Sequence, residues 1–358
     1  MKILHTESSN GWGGQEIRIL KEAMGLRARG HEIVFAVVEG GKLVHYARQE
    51  GFTVYEIPFR RSQVLRVLKD LVQIIRKHRI DVVNTHSSLD AWLGGLAARL
   101  TRSRIIRTRH LSTAVKGGLN AILLYRGLAD FVVTTSSSII PKLALQSKQP
   151  LSSFRCVPTG VQPFTVDPDT VKSFREKFGI KETDILIGTV CVVRSWKGIQ
   201  DLIGAAKELK FHPHLKWVVV GGGYIDHFKH LVDGDLPFIF TGHLENPFPA
   251  IAALDIFTLL STAHEGISQA SLQAAYLKKP LITTTIGGLP EVCLHGRTGL
   301  LVQPSAPKEV AEAVRRLASD ANLRTEYGEA ARVLVDERFT LQHTLDEMDS
   351  IFKAVSEL

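Results

Sequence analysis

The chain has three cysteines and three methionines among 358 residues. Cys156, Cys191 and Cys293 each sit in or beside an apolar stretch, and no C-x-x-C pair occurs. That excludes a zinc ribbon and a thioredoxin-like redox site. An odd cysteine count without a framework fits a reducing compartment. No apolar run approaches the roughly 18 residues that a membrane span needs. The opening MKILHTES reads as a short buried strand rather than a signal segment. No low-complexity segment or short-period repeat is present. These absences point to a soluble, cytoplasmic protein.

What remains is ordinary globular material, 44% hydrophobic and 22% charged. At roughly 150 residues per domain, the length suggests two domains. The net charge of +8 is uneven: residues 1–165 carry 24 Lys and Arg against 11 Asp and Glu, net +13, and residues 166–358 carry 20 against 25, net −5. A basic first half suits an anionic partner or a solvated basic face.

Strand and helix patterns alternate along the whole chain. In the first half, strands are predicted at 3–6, 32–38, 53–57, 82–85, 105–108, 131–134 and 154–157. Helices at 14–29, 42–50, 62–78 and 89–100 separate the earlier ones. A boundary falls near 159–170, where TGVQPFTVDPD holds two prolines and the charge balance changes sign. The second half repeats the scheme, with strands at 186–192, 217–220, 238–241, 256–259, 281–284 and 299–302. Its helices are predicted at 198–209, 224–233, 247–254, 268–278, 306–319, 322–337 and 341–358. Such alternation predicts α/β domains with parallel sheets covered on both faces. Ligands then bind at the C-terminal strand ends. That raises the weight of residues 6–15, 86–88, 109–111 and 135–138.

Several strand-to-helix loops carry the residues that such binding needs. Asn10-Gly11-Trp12-Gly13-Gly14-Gln15-Glu16 joins a strand to a helix start that could hold a phosphate, or is a tight turn. It is not the dinucleotide fingerprint, because Glu16 stands where the third glycine belongs, and no Gly-Lys-Ser/Thr makes it a P-loop. Gly221-Gly222-Gly223 fails the same test at Asp226. Arg194-Ser195-Trp196-Lys197-Gly198 places two cations where a diphosphate could sit. In Ser261 to Gln273, Glu265 and Gly266 precede a helix start at Ile267, Ser268 and Gln269. The backbone amides there suit an anion and Glu265 suits sugar hydroxyls; the plainer reading makes Ser268 an N-cap and Glu265 a dipole-favoured acid. Gly287-Gly288-Leu289-Pro290-Glu291 and Thr298-Gly299-Leu300-Leu301-Val302 follow.

Taken together and in order, these motifs resemble the retaining glycosyltransferases of family 4, also called glycosyl transferases group 1, over nearly the whole chain. The motifs are the Gly-Gly-x-Glu turn at 13–16, Thr159-Gly160-Val161, Arg194 with Lys197-Gly198, the Glu265-Gly266 segment, G-G-x-x-E at 287–291 and T-G-x-L-V at 298–302. The resemblance implies the GT-B fold: two Rossmann-like domains with parallel sheets facing across a cleft and a C-terminal helix crossing back to the first domain. The expected division is an acceptor-binding domain at 1–162, a nucleotide-sugar domain at 163–340 and the returning helix at 341–358. It implies catalytic roles for Arg194, Lys197, Glu265 and His110. It places donor binding at Gly13, Gly14, His243, Leu244, Gly266, Ile267, Ser268, Gln269 and Gln273. The cations would neutralise the leaving diphosphate, Glu265 and His110 would touch the donor sugar, and Gly242-His243-Leu244 would flank the base.

Two positions depart from the family pattern. Gln273 stands where a ribose-holding glutamate is usual, and Arg194 lies closer to Lys197 than in the commoner form. Arg-Ser-Trp-Lys-Gly resembles variants in bacterial lipopolysaccharide and surface-polysaccharide enzymes. The expected partners are a nucleotide-diphosphate sugar and a glycan or glycolipid acceptor. No cofactor and no metal are expected, the strings Asp167-Pro168-Asp169 and Asp233-Gly234-Asp235 being read as incidental. Arg60, Arg61, Arg66, Lys69, Arg76, Lys77 and Arg79 surround one helix, and Arg102, Arg104, Arg107, Arg109 and Lys116 form a second group. Both suit an anionic membrane surface at the inner face of the cytoplasmic membrane, or are solvated charges. Aromatics do not interleave with them, which argues against nucleic acid. The alternatives to a transferase are an inactive nucleotide-sugar-binding protein, kept open by Gln273, and a GT-B epimerase.

Overall fold

The computed structural model describes residues 1–110, 117–232, 234 and 236–358. Leu111, Lys116, Asp233 and Asp235 lie outside the described residues. The chain divides into two compact units, one of Met1–Thr159 with Gln342–Leu358 and the other Gly160–Leu341.

The first unit is built on seven strands: β1 Lys2–Glu7, β2 Glu32–Val38, β3 Thr53–Ile57, β4 Val82–Thr85, β5 Arg104–Arg109, β6 Phe131–Thr134 and β7 Phe154–Cys156. They are parallel and run in the order β3-β2-β1-β4-β5-β6-β7. The second unit has β8 Ile185–Val190, β9 Leu215–Val220, β10 Phe238–Gly242, β11 Ile256–Leu259, β12 Leu281–Thr284 and β13 Gly299–Val302. These are parallel in the order β10-β9-β8-β11-β12-β13. Each sheet therefore has one place where the winding reverses, at β1/β4 and at β8/β11. In doubly wound sheets ligands bind outside the C-terminal strand ends at such a switch point.

Burial on both faces explains the strand sequences. Successive residues enter opposite cores: Ile3 and Leu4 in the first unit, Leu186 and Ile187 in the second. Strands covered on both sides read as unbroken apolar runs rather than alternating ones. The helix Val64–His78 buries Val67, Leu71, Ile74 and Ile75 against the sheet, while Val64 and Leu65 are exposed.

The helix Leu341–Ser356 buries Met348, Ile351, Phe352 and Val355 in the cluster that holds Ile3, Ile19 and Phe35. Its partner helix Gly14–Ala28 can approach because position 25 is glycine: a Cβ there would lie 2.3 Å from Leu345 Cδ1. Arg29–Asp346 and His31–Asp349 pairs flank the contact.

One element was not expected. Pro168–Lys177 is a helix, which starts inside the boundary read near 159–170 and runs beyond it. Asp167 caps it, accepting from the Asp169 amide at 3.0 Å, and Pro168 occupies the first turn. Proline suits that position because its missing N–H has no intrahelical partner there anyway. Asp167 is thus spent on a helix start.

Gly160 meets a second backbone. Val161 N–H donates to the Phe339 carbonyl at 2.7 Å and Leu341 N–H to the Val161 carbonyl at 2.9 Å. A Cβ on residue 160 would stand 2.3 Å from the Thr340 carbonyl oxygen, where only backbone could yield. Gly160→Ala is expected to cost about 2 kcal/mol through this overpacking, read as a lowered thermal midpoint. An unchanged midpoint would contradict the close approach.

Candidate active site

In the second unit the loops after β8 and β11, the two strands at the switch point, are tied together. The Thr262 amide donates to the Trp196 carbonyl at 2.8 Å. Gly198 has φ +68° and packs so tightly that a Cβ would lie 2.0 Å from the Leu260 carbonyl oxygen. A side chain there would meet both a left-handed backbone and a collision. This closeness brings the Lys197 ammonium onto the Glu265 carboxylate, in direct contact at Oε1. Ser261 Oγ donates to the same oxygen at 2.6 Å. The side chains of Lys197 and Glu265 are only 18% and 7% exposed.

The Gly287-Gly288 turn closes over the same segment. Gly288 N–H donates to the Glu265 carbonyl at 3.3 Å, and a Cβ on Gly288 would meet Gly266 carbon at 2.8 Å. Beyond Gly266 and the buried Ile267, the helix Gln269–Tyr276 begins, with Ser268 Oγ accepting from the Ser271 amide at 3.3 Å. Ser268 is therefore an N-cap. The first-turn amides of a helix have no intrahelical acceptor and carry the positive end of its dipole. Gln273 is half-buried on this helix.

Arg194 leans on an aromatic face, its guanidinium carbon 5.3 Å from the Tyr224 ring centre. The glycines 221–223 let backbone meet backbone: Gly221 N–H donates to the Gly242 carbonyl at 2.9 Å, and a Cβ on Gly223 would lie 2.4 Å from the Val193 carbonyl. Gly222 faces His243, with 3.4 Å between its would-be Cβ and that of the histidine. His243 is exposed, and Leu244 packs against the unit's core.

In the first unit, Gly13 is the N-cap of the helix Gly14–Ala28. Its amide donates to Glu16 Oε2 at 2.8 Å, and Ser9 Oγ donates to Oε1 at 2.9 Å. The turn expected to offer this amide to an anion has already given it to Glu16. Gly14 is the first of the helical amides that lack an intrahelical acceptor.

At the β1/β4 switch point two carboxylates are buried together. Asp90 accepts from Thr6 Oγ1 at 3.1 Å, Ser8 Oγ at 3.0 Å and the His86 amide at 2.8 Å. Glu7 accepts from the Ser9 amide at 2.6 Å, from Ser87 Oγ and from Gln15 Nε2. Burial, together with the charge of Asp90, pushes the Glu7 carboxyl up to about 8.

Beside them runs a chain of rings. His5 Nδ1 lies 2.9 Å from His86 Nε2, and His86 Nδ1 lies 3.0 Å from His110 Nε2. All three are buried, and burial holds each below the usual histidine range, His5 down to about 3. His86 belonged to the strand-end positions singled out in the sequence. His5 did not, because a histidine inside an apolar strand carries no mark of its distant partner. Ser261 and Tyr224 were likewise without an assigned part. Among the described residues no group of three His, Cys, Asp or Glu could hold a metal ion.

Two parallel-sheet units with their loops gathered at switch points are the architecture of GT-B glycosyltransferases. The chain matches two family models, Glycosyltransferase Family 4 over residues 12–163 and Glycosyl transferases group 1 over residues 184–320. It belongs to this glycosyltransferase family. A capsular polysaccharide biosynthesis glycosyltransferase, CapM, of Staphylococcus aureus is 24% identical over 91% of each chain. N-acetyl-alpha-D-glucosaminyl L-malate synthase of Bacillus anthracis is 24% identical over 91% of this chain and 90% of its own. Among solved structures, a glycosyltransferase from Rickettsia africae superposes with a TM-score of 0.89 at 24% identity, covering 99% of this chain and 98% of that one. Anabaena HepE, solved with UDP and glucose, superposes at 0.85 with 20% identity over 99% and 100%. At these identities the structures establish the fold.

Two tests follow from the geometry. Lys197→Ala strands the Glu265 carboxylate without its counter-charge and is expected to cost about 3 kcal/mol. The double variant Lys197→Ala/Glu265→Gln is expected to lose less, as measured by denaturant unfolding; an equal or larger loss would contradict the pairing. Glu7 keeps its proton to about pH 8 when folded, but only through the ordinary carboxylate range when unfolded. Its contribution to stability therefore falls as pH rises across that window. Glu7→Gln is expected to match the wild-type thermal midpoint at pH 5 and exceed it at pH 9. A difference independent of pH would rule out the buried proton on Glu7.

Proposed function

We propose that this glycosyltransferase moves a sugar from a nucleotide-diphosphate sugar to a glycan or glycolipid acceptor in surface-polysaccharide or lipopolysaccharide synthesis, with retention of anomeric configuration. The observation that carries the donor reading is the Lys197–Glu265 pair, buried at the β8/β11 switch point in the segment that leads into a helix N-terminus. A protein keeps two charges in such a place at a desolvation cost, and a ligand that completes their shell offsets it. Arg194 and Lys197 supply positive charge for the diphosphate, and the amides at Ile267, Ser268 and Gln269 add the helix dipole. Charge developing on the leaving diphosphate is stabilised most by groups already in place before reaction. Glu265 then accepts from sugar hydroxyls, His110 hydrogen-bonds the sugar, Gln273 replaces a carboxylate at the ribose with an uncharged amide, and His243 and Leu244 flank the base.

Support for this reading comes from CapM, named for capsular polysaccharide synthesis, and from HepE, solved with UDP-glucose. Retention rests on the family resemblance. The acceptor is assigned to the first unit, whose half of the chain carries the net +13. An anionic glycolipid at a membrane surface fits that charge, although no helix among the described residues is long and apolar enough to cross a membrane. No metal or cofactor is proposed.

A thermal-shift screen against UDP-, GDP-, ADP- and CMP-sugars tests the donor. One of the three diphosphate sugars is expected to raise the midpoint, by about 2.7 kcal/mol of stability at a hundredfold excess over its dissociation constant, and CMP-sugars, with a single phosphate, are expected to leave it unmoved. The shift is expected to vanish in Arg194→Gln. If no nucleotide sugar shifts the wild-type midpoint, the donor assignment fails.

A further inference from the structure

The three buried histidines form a directed relay. Each is neutral, so each ring has one N–H and one lone pair. Two hydrogen bonds join them, and only two arrangements of protons satisfy both. In one, His5 Nδ1–H donates to His86 Nε2, His86 Nδ1–H donates to His110 Nε2, and His110 carries its proton on Nδ1. In the other, every arrow reverses, His110 Nδ1 is a bare acceptor, and His5 must carry a proton on Nε2.

The far end of the chain chooses between them. His5 is fully buried, and its Nε2 has no hydrogen-bond partner. The ring lies stacked on Phe35 at 5.6 Å between centres, with Phe352 edge-on at 6.3 Å, too distant for an N–H to reach the ring face. An orphaned buried N–H is rarer than an under-used acceptor. The first arrangement puts a lone pair against this apolar wall, and the second puts an unsatisfied donor there. Arg18 and Arg107 lie close enough to disfavour a proton added to His86 or His110, so the rings stay neutral and the choice persists.

We propose that His5 and His86 are positioning residues that fix His110 as its Nδ1–H tautomer, so that His110 presents a hydrogen-bond donor to an oxygen of the bound sugar. This rests on the reading that His110 meets the sugar. Its recognition is then selective for an oxygen with a free lone pair, a hydroxyl or ring ether. Nε2 is engaged by His86, so Nδ1 is the nitrogen left for a ligand. The choice of donor is made two rings away, in the hydrophobic core.

Nitrogen-15 NMR of histidine-labelled protein reads the tautomer directly without any substrate, His110 being assigned by its loss in His110→Gln. The wild type is expected to show His110 protonated at Nδ1 only. His5→Leu deletes the first donor, so the His110 signals are expected to move toward the Nε2–H form or an average. His5→Asn places an amide donor where Nδ1 stood and is expected to restore them. Circular dichroism and cooperative unfolding confirm that each variant is folded. With UDP-glucose, or with whichever nucleotide sugar the thermal screen selects, turnover is expected to fall about tenfold in His5→Leu, the worth of one hydrogen bond. It is expected to recover in His5→Asn. An Nε2–H tautomer in the wild type, or His110 signals unmoved in folded His5→Leu, would overturn the relay. A correct tautomer response with unchanged turnover would overturn the role of His110 at the sugar. The tautomer readings stand whether or not the donor assignment does.

Discussion

The ion pair between Lys197 and Glu265 is the constraint on which the second unit's loops depend. A lysine and a glutamate with side chains 18% and 7% exposed must stay in register, because either charge alone would be stranded out of water. Holding them together requires the loops after β8 and β11 to touch, which Gly198 permits by leaving room for the Leu260 carbonyl. It requires the Gly287-Gly288 turn to press on Gly266. The glycines around the segment thus permit one electrostatic arrangement. A buried pair of this kind is a weak source of stability, and well-packed apolar residues would often serve as well. Its retention at a switch point, with a helix N-terminus beside it, speaks for chemistry rather than for the fold.

The first unit meets the same topological opportunity with a different electrostatic solution. At β1/β4 the described residues place a buried acid couple, Glu7 and Asp90, saturated with hydroxyl and amide donors. Next to it lie three neutral imidazoles. The switch point of one unit thus presents a cation–carboxylate pair and that of the other presents directed hydrogen bonds. Charge suits a diphosphate, and oriented neutral donors and acceptors suit sugar hydroxyls.

Much of the architecture was legible in the sequence because parallel strands buried on both faces leave a strong signature. EIVFAVV and IFTL are such runs, rich in β-branched and aromatic residues, and their limits, like those of the edge strand TVYEI, were read to the residue. The helix Pro168–Lys177 escaped because it is short, highly charged and buries only Phe174. Its Asp-Pro start was the available signal. The loops that carry the candidate site were legible as glycine and charge clusters. Their connections were not: Lys197 and Glu265 are separated by 68 residues, and His5 and His86 by 81. No local pattern encodes such a pairing. At the Gly13 turn, read as a possible phosphate holder or a tight turn, Glu16 occupies one of the amides.

The most direct test of the central claim is phosphorus-31 NMR of UDP, GDP, ADP and CDP, each mixed with the wild type and with folded Lys197→Ala/Glu265→Gln. If the β8/β11 loops hold the donor's diphosphate, the α- and β-phosphorus signals of one of the four shift and broaden with the wild type. They remain at their free positions with the double variant. Free signals for all four with the wild type, or an equal perturbation by the variant, would contradict the account.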